Sequence, residues 1–360
     1  MLRRFFKDTH WPFVISIVAL SAIGILFIHS AVYYESGRFA VKQSCWVFLG
    51  LLVFLFVSRF SYRNFVGVSY LLYVVSLLLL AAVLVFGLAH SGAQRWLHLG
   101  PLVLQPSEFA KLATVLALAN YLGSHPSWES GAHVLMVVLA MVAAPILLIV
   151  KQPDLGTSLL FIPLILVALF LWGIRYRYLI TAGILGFLGI PLLWMGLKEY
   201  QKKRILVFLN PDLEPLGVGY TALQSRIAIG SGGFFGKGYL AGTQGQLEFV
   251  PEHHTDFIFC LIGEEWGYLG SLLLLVLYGV LFSSCFRVIQ STTDMKAKLL
   301  AGGVVTLLFT QVFINIGMSF GLMPITGLTL PLISYGGSSF VATAVSLGLI
   351  LSIYRERSIF

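Results

Sequence analysis

The chain is a succession of apolar runs, and their length limits the solvents in which it can fold. Ten stretches stand out, at 11–31, 44–58, 65–89, 106–122, 134–150, 155–173, 179–197, 257–286, 299–321 and 332–353. A helix rises about 1.5 Å per residue and needs roughly 20 apolar residues to cross the hydrocarbon of a bilayer. Charge is scarce: 58% of the 360 residues are hydrophobic, 11% are charged, and the mean hydropathy is +0.91. A soluble domain carries about 25% charge, and no soluble core hides this much apolar surface. The expected class is all-α: a polytopic membrane protein of about ten transmembrane helices, read as one domain over 1–360. The first run follows a basic "MLRR". It is too long for a signal peptide and nine more runs follow, so it is expected to remain as the first span. Cys45, Cys260 and Cys285 lie in apolar runs without metal spacing, so neither a disulfide framework nor a cysteine metal site is expected.

The formal charge of +8 reads as the cytoplasmic bias of Lys and Arg, with no nucleic-acid partner implied. With the N-terminus inside, the inner segments hold Arg3, Arg4, Lys7, Arg59, Arg63, Arg175, Arg177, Arg287, Lys296, Lys298, Arg355 and Arg357. The short outer segments hold only Arg38, Lys42, Arg95, Lys111 and Lys151. Both termini are therefore expected in the cytoplasm, and the long 198–255 connection on the extracytoplasmic side. That connection is rich in glycine; a plain surface loop and a loop that wraps a ligand are both open readings. Its "GSGGFFGKG" (230–238) is no phosphate loop, because Ser231 and Gly238 stand where that pattern needs Gly and Ser or Thr.

Ionisable residues inside apolar runs are costly and mark cavities or partners. "QPSEFAKL" (105–112) opens the fourth run. Pro106 suits a first helical turn and Ser107 can cap it. Glu108 and Lys111, three apart, share a face and can pair. In "KQPDLGTS" (151–158), Asp154 suits a helix cap. The 257–286 run would make about 45 Å of helix, longer than a bilayer core of about 30 Å. "GEEWG" (263–267) is expected to divide it, with 257–265 riding above the span or lining an outer cavity. In "LPLISYGGSS" (330–339), Pro331 is expected to begin the last helix, and small residues to allow close packing. Gly302 and Gly303 are expected to leave room for close contact with another helix, or with lipid. The strongest single candidate is Asp256, in "VPEHHTDFIF" (250–259), crowded by Glu252, His253 and His254. Adjacent histidines do not make a convincing metal site. An Asp at an interface can act as a base toward a hydroxyl, or hold a divalent cation against a phosphate.

Seven motifs now stand in order: "GAQRWLHLG", "QPSEFAKL", "QPDLGTS", "QSRIAIGSGG", "VPEHHTDFIF", "NIGMSFGLMP" and "LPLISYGGSS". Together they closely resemble the SEDS family of bacterial cell-shape and division proteins. "GTQGQLEFVPEHHTDF" and "NIGM" resemble its elongation branch more than its division branch. The resemblance implies a peptidoglycan glycosyltransferase of the bacterial cytoplasmic membrane. Such an enzyme polymerises lipid II into a lipid-linked glycan at the outer face during cell elongation, beside a class B penicillin-binding protein and other elongation-complex proteins. It implies that Asp256 is catalytic, that Glu108 and Lys111 support it, and that a divalent cation (Mg²⁺ or Mn²⁺) assists. Further supporting or substrate-binding candidates are Asp154, Arg204, Arg226 and His253. For the charge of a pyrophosphate leaving group, Lys111, Arg204 and Arg226 are the candidates, in that order. Two rival readings are a flippase for the same lipid-linked precursor, which needs polar residues through the full membrane depth, and a scaffold, which leaves Asp256 replaceable.

Overall fold

The computed structural model describes residues 10–33, 38–90, 93–99, 102–125, 131–210, 213–214, 217–246 and 249–356. Arg3, Arg4, Lys7 and Arg357 of the inner charge count lie outside them. The chain opens with α1 (Trp11–Ala31), α2 (Arg38–Val57), the short α3 (Tyr62–Gly67) and α4 (Ser69–Phe86). A three-stranded antiparallel sheet follows, β1 (Leu88–His90), β2 (Ala93–Leu99) and β3 (Leu102–Leu104), in that order. Next come α5 (Pro106–Gly123), α6 (Gly131–Lys151), α7 (Leu155–Leu159), α8 (Phe161–Trp172) and α9 (Tyr176–Gly196). The long connection holds α10 (Glu199–Leu209), α11 (Val218–Ser231) and α12 (Thr243–Gln246). The last helices are α13 (Ile258–Glu265), α14 (Gly267–Ser291), α15 (Met295–Ser319) and α16 (Gly337–Glu356).

Every expected run contains a helix. Among the described residues, eight segments are long and apolar enough to cross a membrane: α1, α2, α4, most of α6, the α7–α8 pair, α14, α15 and α16. The protein is a membrane protein by its surface as well as its length. Ile180, Ile184, Leu185, Phe187 and Leu188 of α9 are all exposed, a face that only lipid or another apolar partner can cover. At the centre lie α5 and α15, whose residues are mostly buried. Gly302 and Gly303 belong to this interior: a β-carbon there would strike Leu171 of α8 and Val115 of α5. They serve packing within the chain, so neither a partner's helix nor lipid fills that space.

The departures from expectation have local causes. The small sheet after α4 was not anticipated. Pro163 cannot donate to the Leu159 carbonyl, and the sixth run breaks there into α7 and α8. The Ser107 hydroxyl, expected as a cap, lies buried without a hydrogen-bond partner among the described residues, and Gln105 holds the capping position. The eighth run breaks at Trp266, and the glycine loop that resembled a phosphate site stitches the break together. Lys237 and Gly238 donate backbone N–H groups to the carbonyls of Glu264 and Glu265, each at 3.0 Å. Tyr268 and Leu269, at the start of α14, donate to Gly233 and Phe234 of the loop. Gly267, at φ 64, lies so close that a β-carbon would sit 2.3 Å from the Gly236 nitrogen; only glycine fits. All eight residues of α13 are buried, so it packs inside the protein. Residues 331–336 form turns, and the last helix begins at Gly337.

Candidate active site

The connection between α15 and α16 has no regular structure from 324 to 330. Much of it is buried, including Leu328, Leu330, Leu332 and Ile333. Irregular backbone is stable in such a place only if its polar groups find partners in the protein. They do. Arg204 donates to the Ile325 carbonyl at 3.3 Å, Asn315 to Leu328 at 2.6 Å, Gln311 to Thr329 at 2.9 Å and Tyr278 to Pro331 at 2.5 Å.

Against this connection lies the turn carrying Asp256. Glu252, at φ 53, starts it, and its carbonyl accepts from the N–H groups of Thr255, Asp256 and Phe257. A left-handed non-glycine residue costs about 1–2 kcal/mol, so the turn must be held from outside. Three successive carbonyls do this. His254 accepts from Tyr335 N–H at 3.1 Å, Thr255 from the Ser334 hydroxyl at 2.5 Å and Asp256 from Asn315 Nδ2 at 2.8 Å. Behind the turn, the buried His253 ring contacts the carbonyls of Val250 and Ala31 at 3.0 and 2.9 Å. His253 therefore ties the turn to α1 and has no ring nitrogen left for a substrate.

The Asp256 side chain is half-buried. Among the described residues, no group donates a hydrogen bond to its carboxylate. Gly327, at φ 76, brings bare backbone beside it: a β-carbon there would stand 3.3 Å from Oδ2. Burial pushes the Asp256 carboxyl up from 3.8 to about 7. The charges of Glu252 and Asp154 add to the rise, while Arg95 and Arg204 oppose it.

Asp154 caps α7, accepting from the Thr157 N–H at 3.2 Å and hydroxyl at 2.8 Å. It also pairs with Arg95 of β2 at 3.9 Å, and Arg95 donates to the Pro153 carbonyl. Asp154, Arg204 and Asp256 are thus brought into one electrostatic neighbourhood, and Arg95 joins them. Arg95 was missed as a site residue because a lone Arg in a short loop reads only as a topology charge; the "QRW" motif was its one signal. Arg226 bonds the Gly321 carbonyl at 3.3 Å and lines a narrow cleft with Arg204, Phe208 and Met323. Glu108 and Lys111 do pair, at 2.7 Å and buried, and Lys111 also donates to Gln311 at 3.1 Å. Those bonds commit Lys111 to the interior, so Arg95 and Arg204 replace it as the leading cations around Asp256. Among the described residues, no group of three His, Cys, Asp or Glu is placed to hold a metal ion.

A polytopic helical membrane protein whose half-buried Asp256 carboxylate feels the opposing charges of Arg95, Arg204, Glu252 and Asp154 is the class these features define. The FtsW/RodA/SpoVE family of cell cycle proteins matches residues 11–359, and the chain belongs to that family. Among its relatives, the peptidoglycan glycosyltransferase MrdB of Escherichia coli K12 is 39% identical over 98% of this chain and 96% of its own length. Solved structures agree. A chain from work on the structural coordination of polymerization and crosslinking by a peptidoglycan synthase complex superposes with a TM-score of 0.85 at 36% identity, covering 97% of this chain and 98% of that one. The rod shape determining protein RodA of Thermus thermophilus superposes at 0.73 with 34% identity, covering 97% of each.

Proposed function

We propose that the chain is a peptidoglycan glycosyltransferase that polymerises lipid II at the outer face of the bacterial cytoplasmic membrane, with Asp256 as the catalytic base. The observation that carries this reading is the placement of the Asp256 carboxyl: half-buried, against the bare backbone of Gly327 and, among the described residues, without a protein donor; burial also raises it to about 7. A general base works best when its pKa lies near the working pH. Asp256 takes the proton of an acceptor sugar hydroxyl as that oxygen bonds to the donor's anomeric carbon. The bond from that carbon to the phosphate oxygen breaks, and undecaprenyl pyrophosphate leaves with the bonding electrons. The leaving group is already acidic, so the second carboxylic acid of glycoside hydrolases is not needed. Its growing charge calls for cations placed in advance. Arg95 and Arg204 are nearest to Asp256 in their effect, and Arg226 extends the basic lining toward the cleft.

A divalent cation, Mg²⁺ or Mn²⁺, fits such a donor set: one unbonded carboxylate on the protein, completed by phosphate oxygens of the substrate. It would be held chiefly by those phosphate oxygens and would supply charge neutralisation to the pyrophosphate; a cation bound directly to Asp256 would compete with that residue's role as base. The partner proposed is a class B penicillin-binding protein, supported by the similarity to a chain of a peptidoglycan synthase complex. Both termini are proposed to be cytoplasmic. Purified protein, alone and with that partner, should convert lipid II to long glycan strands. Transfer of labelled lipid II across liposomes with no polymer formed would favour a flippase instead.

A further inference from the structure

Two polar side chains of α15, Gln311 and Asn315, have no part in the chemistry above, yet both are buried. They lie one helical turn apart and so share a face. Asn315 Nδ2 bridges two carbonyls, that of Asp256 at 2.8 Å and that of Leu328 at 2.6 Å. Gln311 Nε2 donates to the Thr329 carbonyl at 2.9 Å, and its Oε1 accepts from Lys111 at 3.1 Å. Lys111 in turn is held by Glu108 at 2.7 Å. One connected set of bonds therefore runs from the buried ion pair, through Gln311 and the irregular 327–329 backbone, to Asn315 and the Asp256 turn. The same backbone places Gly327 against the Asp256 carboxylate. Asn315 thus fixes both the turn that carries the carboxylate and the wall that the carboxylate faces.

We propose that Asn315, seated through Gln311 on the Glu108–Lys111 pair, is a positioning residue that aims Asp256 at the acceptor hydroxyl. The proposal rests on the reading of Asp256 as the base. It assigns Glu108 and Lys111 an indirect role: they anchor the strap and do not touch the leaving group. Misplacement of a reacting group by about 1 Å costs on the order of 10²-fold in rate, and a bridge that loses its donor permits a shift of that size.

The test is steady-state polymerisation of lipid II by the purified complex with its transpeptidase. Asn315→Ala is expected to lower kcat by roughly 10- to 100-fold, with KM within about twofold. Asn315→Ser keeps a polar group at the buried position but is too short to bridge both carbonyls, and the same selective loss is expected from it. Adding Lys111→Ala to Asn315→Ala should cost much less than Lys111→Ala costs alone, because both act through one strap. Thermal melting and partner copurification identify any variant that fails to fold; Asn315→Ser carries the test if Asn315→Ala does. A wild-type kcat in the folded Ser variant, or fully multiplicative losses in the double variant, would overturn the proposal. Asp256→Asn is assayed alongside. If it still polymerises, the base reading fails and this inference with it. If it is inactive while the Asn315 variants match wild type, only the positioning role fails.

Discussion

For a carboxylate at an active site, the surrounding dielectric decides what it can do. In "HHTDF", Asp256 was legible as a candidate because it stands at the mouth of an apolar run. Its state was not. An interfacial position suggests a permanently ionised group, whereas burial raises it from 3.8 to about 7. Two outcomes follow. The polymerisation rate should climb as pH rises through about 7, since only the deprotonated form accepts a proton; a flat profile from about pH 5.5 to 8.5 would contradict this. The raised value also means that the folded state binds a proton the unfolded chain has released. Stability linked to Asp256 is therefore intact below about pH 4 and lost progressively up to about pH 7. Asp256→Asn, which never ionises, should melt above the wild type at pH 8, with the gap closing toward pH 4 by differential scanning fluorimetry. The other candidates show why single residues mislead. Lys111 reads as Glu108's partner and a candidate for the leaving group's charge, and only the fold shows that Gln311, far along the chain, also binds it. His253 reads as a ligand until the Val250 and Ala31 carbonyls occupy its ring. Partners distant in sequence set both roles, and no local pattern reveals them.

At the level of elements, the lengths of the apolar runs were readable because the bilayer imposes one length on all of them. The breaks were readable only where a residue forces them, as "EEWG" does. What remained hidden was the use of loops as hydrogen-bond partners for broken helices. Glu264 shows the principle. It is fully buried, accepts from Lys237 at 2.6 Å, and caps α12 through the N–H groups of Thr243 and Gln244 at 2.7 and 3.0 Å. Glu264→Ala leaves two amides without their acceptor and the solvent-reachable Lys237 ammonium without its partner, at a cost of about 1–3 kcal/mol. Amide hydrogen exchange should quicken across 237–246, with little change in α15; equal protection in wild type and variant would show the latch to be unimportant. The α15 glycines make a contrasting case. Gly303→Leu should destabilise the protein by about 1–3 kcal/mol through overpacking against Val115 and Leu164, with partner binding unaffected in whatever fraction folds. A variant of wild-type stability that fails to copurify its partner would return those glycines to the interface.

On the scale of the whole molecule, composition alone separated a membrane protein from every soluble class, and the ordered motifs placed it in a family. The assembly of the site was not readable, because β2, α7, the 252–257 turn, α10, α15 and the irregular α15–α16 connection meet only after folding. Orientation is the next link between fold and activity. Single cysteines introduced at exposed positions of 198–255, in a cysteine-free background, should react with an impermeant thiol reagent in intact spheroplasts; labelling only after lysis would place the site on the wrong side for lipid II polymerisation. The most direct measurement compares wild type and Asp256→Asn, each copurified with its transpeptidase, for glycan polymer made from purified lipid II at equal protein across a range of Mg²⁺ concentrations. Loss of a general base typically costs roughly 10²–10⁴-fold in rate. The expected result is long polymer from the wild type and none detectable from a folded, partner-bound Asn variant at any Mg²⁺ concentration. Near-normal polymer from that variant would contradict the account, leaving Asp256 a structural residue and the chemistry elsewhere.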